Sequence, residues 1–254
     1  MIEAPPVTSV VEKCLQSLCF GEINLKREKI HKQTEETCTW ILNHRLYLQW
    51  VDSSSGALWI RGAPGVSKSI VMKYAVSQLE GDNKTFKEDG ECPQLMALVH
   101  FFRWDGARLE RLLEGLCRSL LHQLLSHFPD RLTALRDTYR MKSEGFDFQN
   151  EKIQWGTLFQ LLEDSILDVV QVANLPVFID GLDECDEDDA KLAIGMLQRV
   201  AENHEKREMY SEKRQLLVCY GCRNNSLIVY DSDPSIDVQQ KNREHTEICI
   251  NCFI

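Results

Sequence analysis

The segment that most constrains this chain runs from residue 57 to residue 79. Ala57-Leu58-Trp59-Ile60 is a short apolar run that reads as a buried strand. It passes directly into Gly62-Ala63-Pro64-Gly65-Val66-Ser67-Lys68-Ser69, and Ile70 to Leu79 then has the character of a helix. A strand that turns through glycines straight into a helix leaves a row of backbone N–H groups at the helix start with no intrahelical partner. Such a loop favours an anion. It also implies a sheet whose strands are separated by helices, because the chain must return to the sheet after the helix.

The loop is close to the phosphate-loop pattern G-x-x-x-x-G-K-[ST] in the strand–loop–helix context that the pattern requires. In that reading the backbone of Gly62 to Ser69 curls around a β-phosphate, Lys68 bridges the β- and γ-phosphates, and the Ser69 hydroxyl holds Mg²⁺. One position departs from the pattern, since Ser67 stands where glycine precedes the lysine. Glycine there lets bare backbone approach the phosphates. Ser67 is therefore expected to weaken binding, and Ser67→Gly to raise affinity at least about tenfold. The plainer alternative is a glycine-rich turn with a chance lysine.

A second informative segment is Leu175-Pro176-Val177-Phe178-Ile179-Asp180-Gly181-Leu182-Asp183-Glu184-Cys185-Asp186. It is an apolar strand, led by a proline, that ends in an acid. Ligands of parallel sheets gather at the carboxyl ends of the strands. Asp180 is placed to hold Mg²⁺ through water, and Asp183 or Glu184 to orient or deprotonate an attacking water. Asp186 to Asp189 read as solvated surface. An acidic loop after a core strand is again the plainer alternative.

The remaining pattern alternates. Helical spacing marks Val7 to Phe20, Thr34 to Val51, Leu109 to Phe128, Trp155 to Val172 and Ala190 to Arg207; strand character marks 95–102, 175–180 and 215–220. Residues 81–91 are polar and read as a surface loop. The expected fold is a three-layer α/β/α phosphate-loop NTPase with a mostly parallel central sheet. The expected organisation is a helical extension over 1–52 and a nucleotide-binding domain over 53–254.

Composition excludes some classes. The formal charge of −10 argues against nucleic acid as a partner, which needs a basic face. No apolar run reaches the length of a membrane span, and the N-terminus lacks the pattern of a secretory signal, so the cytoplasm is the expected compartment. The ten cysteines are scattered, and Cys117, Cys185 and Cys219 sit in apolar surroundings that suit buried thiols. Cys219-x-x-Cys222 and Cys249-x-x-Cys252 form a paired pattern that suits tetrahedral zinc. Against zinc, the first pair falls on an expected core strand.

The two motifs together resemble the NACHT branch of the STAND class of phosphate-loop ATPases, for which the hexad from Asp180 to Cys185 is typical. The stretches Cys14 to Phe20, Thr37 to Trp40, Phe101 to Arg103 and Gly115 to Leu125 resemble the fungal group of these proteins, related to heterokaryon-incompatibility and nephrocystin-3-like N-terminal sequences. The likeness covers about Cys14 to Asn242. It implies that Arg223, which ends the stretch Leu216 to Arg223 that begins with the fourth strand's apolar run, senses a γ-phosphate, although the family usually places serines where this chain has Gly221 and Cys222. It also implies a switch: ATP or GTP binds with Mg²⁺, slow hydrolysis resets the state, and the bound state drives self-association or engages protein partners. The family continues into a winged-helix region and often into repeats, so the chain reads as a piece that stops before them. The alternative is a degenerate, non-catalytic interaction module that binds nucleotide weakly.

Overall fold

The computed structural model describes residues 7–20, 32–53, 55–85, 94–131, 155–207, 214–223 and 234–238. In chain order the elements are helix α1 (Val7–Leu18), a 3-10 segment (Lys32–Asn43), α2 (Arg45–Val51), β1 (Ser55–Arg61), α3 (Lys68–Thr85), β2 (Gln94–Leu95) and β3 (Leu98–Phe101). There follow a 3-10 turn (Arg108–Arg111), α4 (Leu113–His127), α5 (Trp155–Val169), β4 (Ala173–Asp180) and a second 3-10 turn (Leu182–Glu184). The last three are α6 (Glu187–Arg207), β5 (Leu216–Cys222) and β6 (Ser235–Asp237).

Among the described residues every strand pairing is parallel, and the central order is β4-β5-β1-β6, with β2 and β3 both on the outer side of β4. The loop strand β1 and the acid strand β4 are therefore not neighbours, because β5 lies between them. Parallel strands buried on both faces should be apolar at successive positions, and these are. Leu58, Ile60, Phe178, Leu217 and Cys219 pack with the 3-10 segment, α2 and α3 on one face. Trp59, Val177, Ile179, Val218 and Tyr220 pack with α1, α4, α5 and α6 on the other. The expected three-layer α/β/α fold is what the chain adopts. Trp59 and Tyr220 are cross-strand partners whose rings lie 4.6 Å apart, a pair that adds about 0.5–1.5 kcal/mol beyond its buried area.

The expected strand over 95–102 is divided into β2 and β3, and Pro176 accounts for the break. Pro176 lies inside β4 rather than leading it. The Leu175 N–H donates toward β5, to the Gln215 carbonyl at 2.8 Å, so the next residue faces the other side. On that side Pro176 has no N–H to offer. Opposite it are Met96 and Ala97, the two residues between β2 and β3. Beyond the break, the Gln123 side chain on α4 accepts from the Val99 N–H at 3.0 Å and donates to the Val99 carbonyl at 2.8 Å. Among the described residues β3 pairs with β4 alone, and on its other side an amide side chain takes both backbone groups of Val99, which protects a sheet edge from pairing with another strand.

Other boundaries shift as well. The expected helix over 34–51 is a 3-10 segment followed by α2, and α3 runs on to Thr85, into the expected surface loop. β6 had no expectation attached to it. Among the described residues no helix is long and apolar enough to cross a membrane.

Candidate functional site

The loop after β1 closes through two residues with left-handed backbone, Gly65 (φ 79°) and Ser67 (φ 71°). Ser67 is the one non-glycine residue with positive φ among those described. Its carbonyl accepts from the Ile70 and Val71 N–H groups, each at 3.0 Å, which starts α3. The serine thus holds the conformation that suits a glycine, and a Cβ there costs about 1–2 kcal/mol. Lys68 folds back over the loop, its ammonium donating to the Gly62 and Ala63 carbonyls at 3.0 and 3.1 Å. Pro64 and Gly65 are exposed at the rim, and Val66 is half-buried.

Asp180 ends β4 and is buried at 2% exposure. The Ser69 hydroxyl, 111 residues earlier, donates to its Oδ2. This contact spans the end of β5 and depends on Gly221. A Cβ at 221 would strike Asp180 Oδ1 and would come within 2.6 Å of the Met72 sulfur on α3. The glycine that departs from the resemblance is therefore what lets α3 and Asp180 meet. Ser69 and Asp180 together form a hard oxygen pair, the donor type that Mg²⁺ takes when it keeps waters and phosphate oxygens for its other positions.

The chain leaves Asp180 through Gly181 (φ 73°), where the Phe102 carbonyl lies 3.0 Å from the place of a Cβ. The short turn that follows, closed by a 2.7 Å bond from the Glu184 N–H to the Gly181 carbonyl, sends its two acids to different neighbours. Asp183 meets the end of β5: Oδ1 accepts from the Arg223 N–H at 3.0 Å, and Oδ2 lies 2.8 Å from Arg223 Nε. Glu184 meets the loop after β3, where Oε2 accepts from the Trp104 N–H at 3.2 Å. Trp104 itself is 68% exposed.

The expected site residues thus gather at one edge of the sheet: Gly62 to Ser69 at the end of β1, Asp180, Asp183 and Glu184 at the end of β4, and Arg223 at the end of β5. Gly181, Gly221 and the Trp104 backbone join them without having been singled out as site residues. The small residue inside the acidic hexad was a sequence signal for Gly181, and the departure from the family's serines was one for Gly221; nothing local marked the Trp104 backbone. Asp186 to Asp189 are more than solvated surface. Asp186 accepts from the Asp188 N–H at 3.1 Å at the start of α6, and Asp189 accepts from the Leu113 N–H at 2.9 Å at the start of α4. Acids are favoured at helix starts, whose N–H groups lack partners.

Cys219 and Cys222 lie on opposite faces of β5, in different core clusters. They do not present a chelating pair, and Cys249 and Cys252 lie outside the described residues. Burial pushes both thiols up, Cys222 to about 12 with the Asp183 charge adding to the effect, whereas a metal takes the thiolate.

No curated protein gave a match to the sequence. Residues 36–218 match the family model described as Nephrocystin 3, N-terminal, a span that includes the glycine loop and the acid strand and stops short of Arg223. That span is more than half of the chain, and the chain belongs to the nephrocystin 3 N-terminal family.

Proposed function

We propose that this chain is the nucleotide-binding switch unit of a NACHT-type STAND protein, of the fungal heterokaryon-incompatibility-like group. ATP or GTP binds with Mg²⁺ at Gly62 to Ser69, hydrolysis is slow, and the triphosphate state drives self-association or contact with a protein partner. The observation that carries the reading is the hydrogen bond from Ser69 to Asp180, which joins the two motifs across the intervening strand. Loop, hydroxyl, buried acid and arginine meet where parallel sheets bind ligands.

The roles follow from chemistry. The loop N–H groups and the start of α3 receive phosphate oxygens. Lys68 exchanges its two carbonyl contacts for the phosphates. Ser69 and Asp180 would hold Mg²⁺, which supplies charge neutralisation to the phosphates. Asp183 or Glu184 serves the attacking water, and Arg223 answers to the terminal phosphate. The reading places the protein in the cytoplasm, where nucleoside triphosphates are available.

Titration calorimetry with ATP and GTP, with and without Mg²⁺, tests this on the purified chain and on Lys68→Ala. Mg²⁺-dependent binding that the substitution abolishes is the expected result. Equal affinity of the two proteins removes the assignment. A second reading, a non-catalytic interaction module, is favoured by Ser67, which places a side chain in the left-handed turn. It predicts weak binding without turnover by wild type and at least about tenfold tighter binding in Ser67→Gly.

A further inference from the structure

We propose that Asp183 is a positioning residue that orients Arg223 toward the terminal phosphate before nucleotide arrives, while its neighbour Glu184 has no part in that duty. The proposal rests on the nucleotide-binding reading above. It refines the roles of two acids that the sequence motif leaves interchangeable.

Geometry separates them. The turn Leu182–Glu184 is 3-10, so successive side chains leave it about 120° apart. β4 is flanked by β5 on one side and by β3 on the other. Asp183 reaches the β5 side, where it meets Arg223, and Glu184 reaches the β3 side, where it meets the Trp104 backbone. The hold on Arg223 is double. One carboxylate oxygen takes the backbone N–H, which fixes where the chain leaves β5. The other lies 2.8 Å from Nε as an ion pair, which holds the root of the guanidinium near the end of β4. Nε is one of five N–H donors, and the two terminal nitrogens carry the other four. A carboxylate paired with the near nitrogen leaves the far ones as the bidentate edge that suits phosphate.

The Arg223 side chain is 49% exposed, whereas that of Asp183 is 12% exposed. A half-exposed arginine without an anchor samples many rotamers and must give them up when it binds. Asp183 removes that freedom in the empty protein, so the benefit falls on the ligand that carries the terminal phosphate. A diphosphate, which lacks that group, gains nothing from it.

The test measures Mg·ATP and Mg·ADP affinity by titration calorimetry for wild type, Asp183→Ala, Arg223→Ala and the double variant. Asp183→Ala should reduce the preference for triphosphate about tenfold and leave diphosphate affinity within about twofold. The double variant should be no worse than Arg223→Ala alone, because the two residues act as one unit. Asp183→Asn, nearly isosteric, carries the measurement if the alanine variant fails to fold; it should show a smaller loss of the same kind, since its amide oxygen still accepts the Arg223 N–H. Equal loss for both nucleotides, or additive losses in the double variant, overturns the proposal. Failure of the parent reading shows separately, in a wild-type protein that binds neither nucleotide.

Discussion

Replacing Ser67 by glycine separates two costs that the serine imposes on the loop. The first is backbone strain. Ser67 sits at φ 71°, where an L side chain costs about 1–2 kcal/mol. Glycine removes that cost but adds about 0.5–1 kcal/mol of chain entropy to be lost on folding. The bonds from Ile70 and Val71 to the residue's carbonyl are kept, and glycine is only a few tenths of a kcal/mol worse than serine at a helix start. The net gain is about 0.5–1 kcal/mol, a rise in Tm of about 1–4 °C for a domain of this size. The strained φ is present without nucleotide, so free and bound protein share this gain and it leaves affinity unchanged. The second cost is crowding of the phosphate by the side chain. It lengthens charge-assisted N–H contacts worth about 1.5–3 kcal/mol each, and its removal should tighten binding at least about tenfold. Differential scanning calorimetry of both proteins without nucleotide reads the first cost, and titration with Mg·ATP reads the second. A glycine variant that melts at or below wild type refutes the strain argument. One that melts higher but binds no tighter refutes the crowding argument alone.

Three further outcomes are expected. Gly221→Ser should cost about 1–3 kcal/mol of stability by overpacking against Asp180 and the Met72 sulfur; an unchanged urea midpoint would mean that the end of β5 yields freely. Asp180→Asn should spare nucleotide binding more than Mg²⁺-dependent turnover, so hydrolysis that survives intact removes Asp180 from the metal-holding role. Burial raises the Cys14 and Cys222 thiols from 9.0 to about 12. The folded state therefore keeps protons that the unfolded state releases, and stability is full below pH 9 and falls as pH rises from 9 toward 12. The slope is about 1.4 kcal/mol per pH unit for each thiol. Urea midpoints at pH 8 and pH 10 should converge in the Cys14→Ala, Cys222→Ala double variant relative to wild type; an equal slope in both proteins rules the thiols out.

The sequence alone determined the elements whose causes are local. The step from β1 through the glycine loop into α3 was legible because strand, turn and helix signals lie within a few residues of one another. The acid at the end of β4 was legible for the same reason, and so was the three-layer class, since apolar runs alternating with amphipathic helices leave few other ways to bury both faces of a sheet. Tertiary structure decided what depends on residues far apart in the chain. That β5 lies between the two motif strands is a matter of strand order, which no local pattern carries. The need for glycine at 221 follows from it, because only in that order does the residue sit between Met72 and Asp180. The break opposite Pro176 required knowing which strand lies beside it and which way its missing N–H faces. The division of Asp183 from Glu184 likewise came from their neighbours: adjacent acids in a motif are alike on paper, and the strands on either side of β4 made them different.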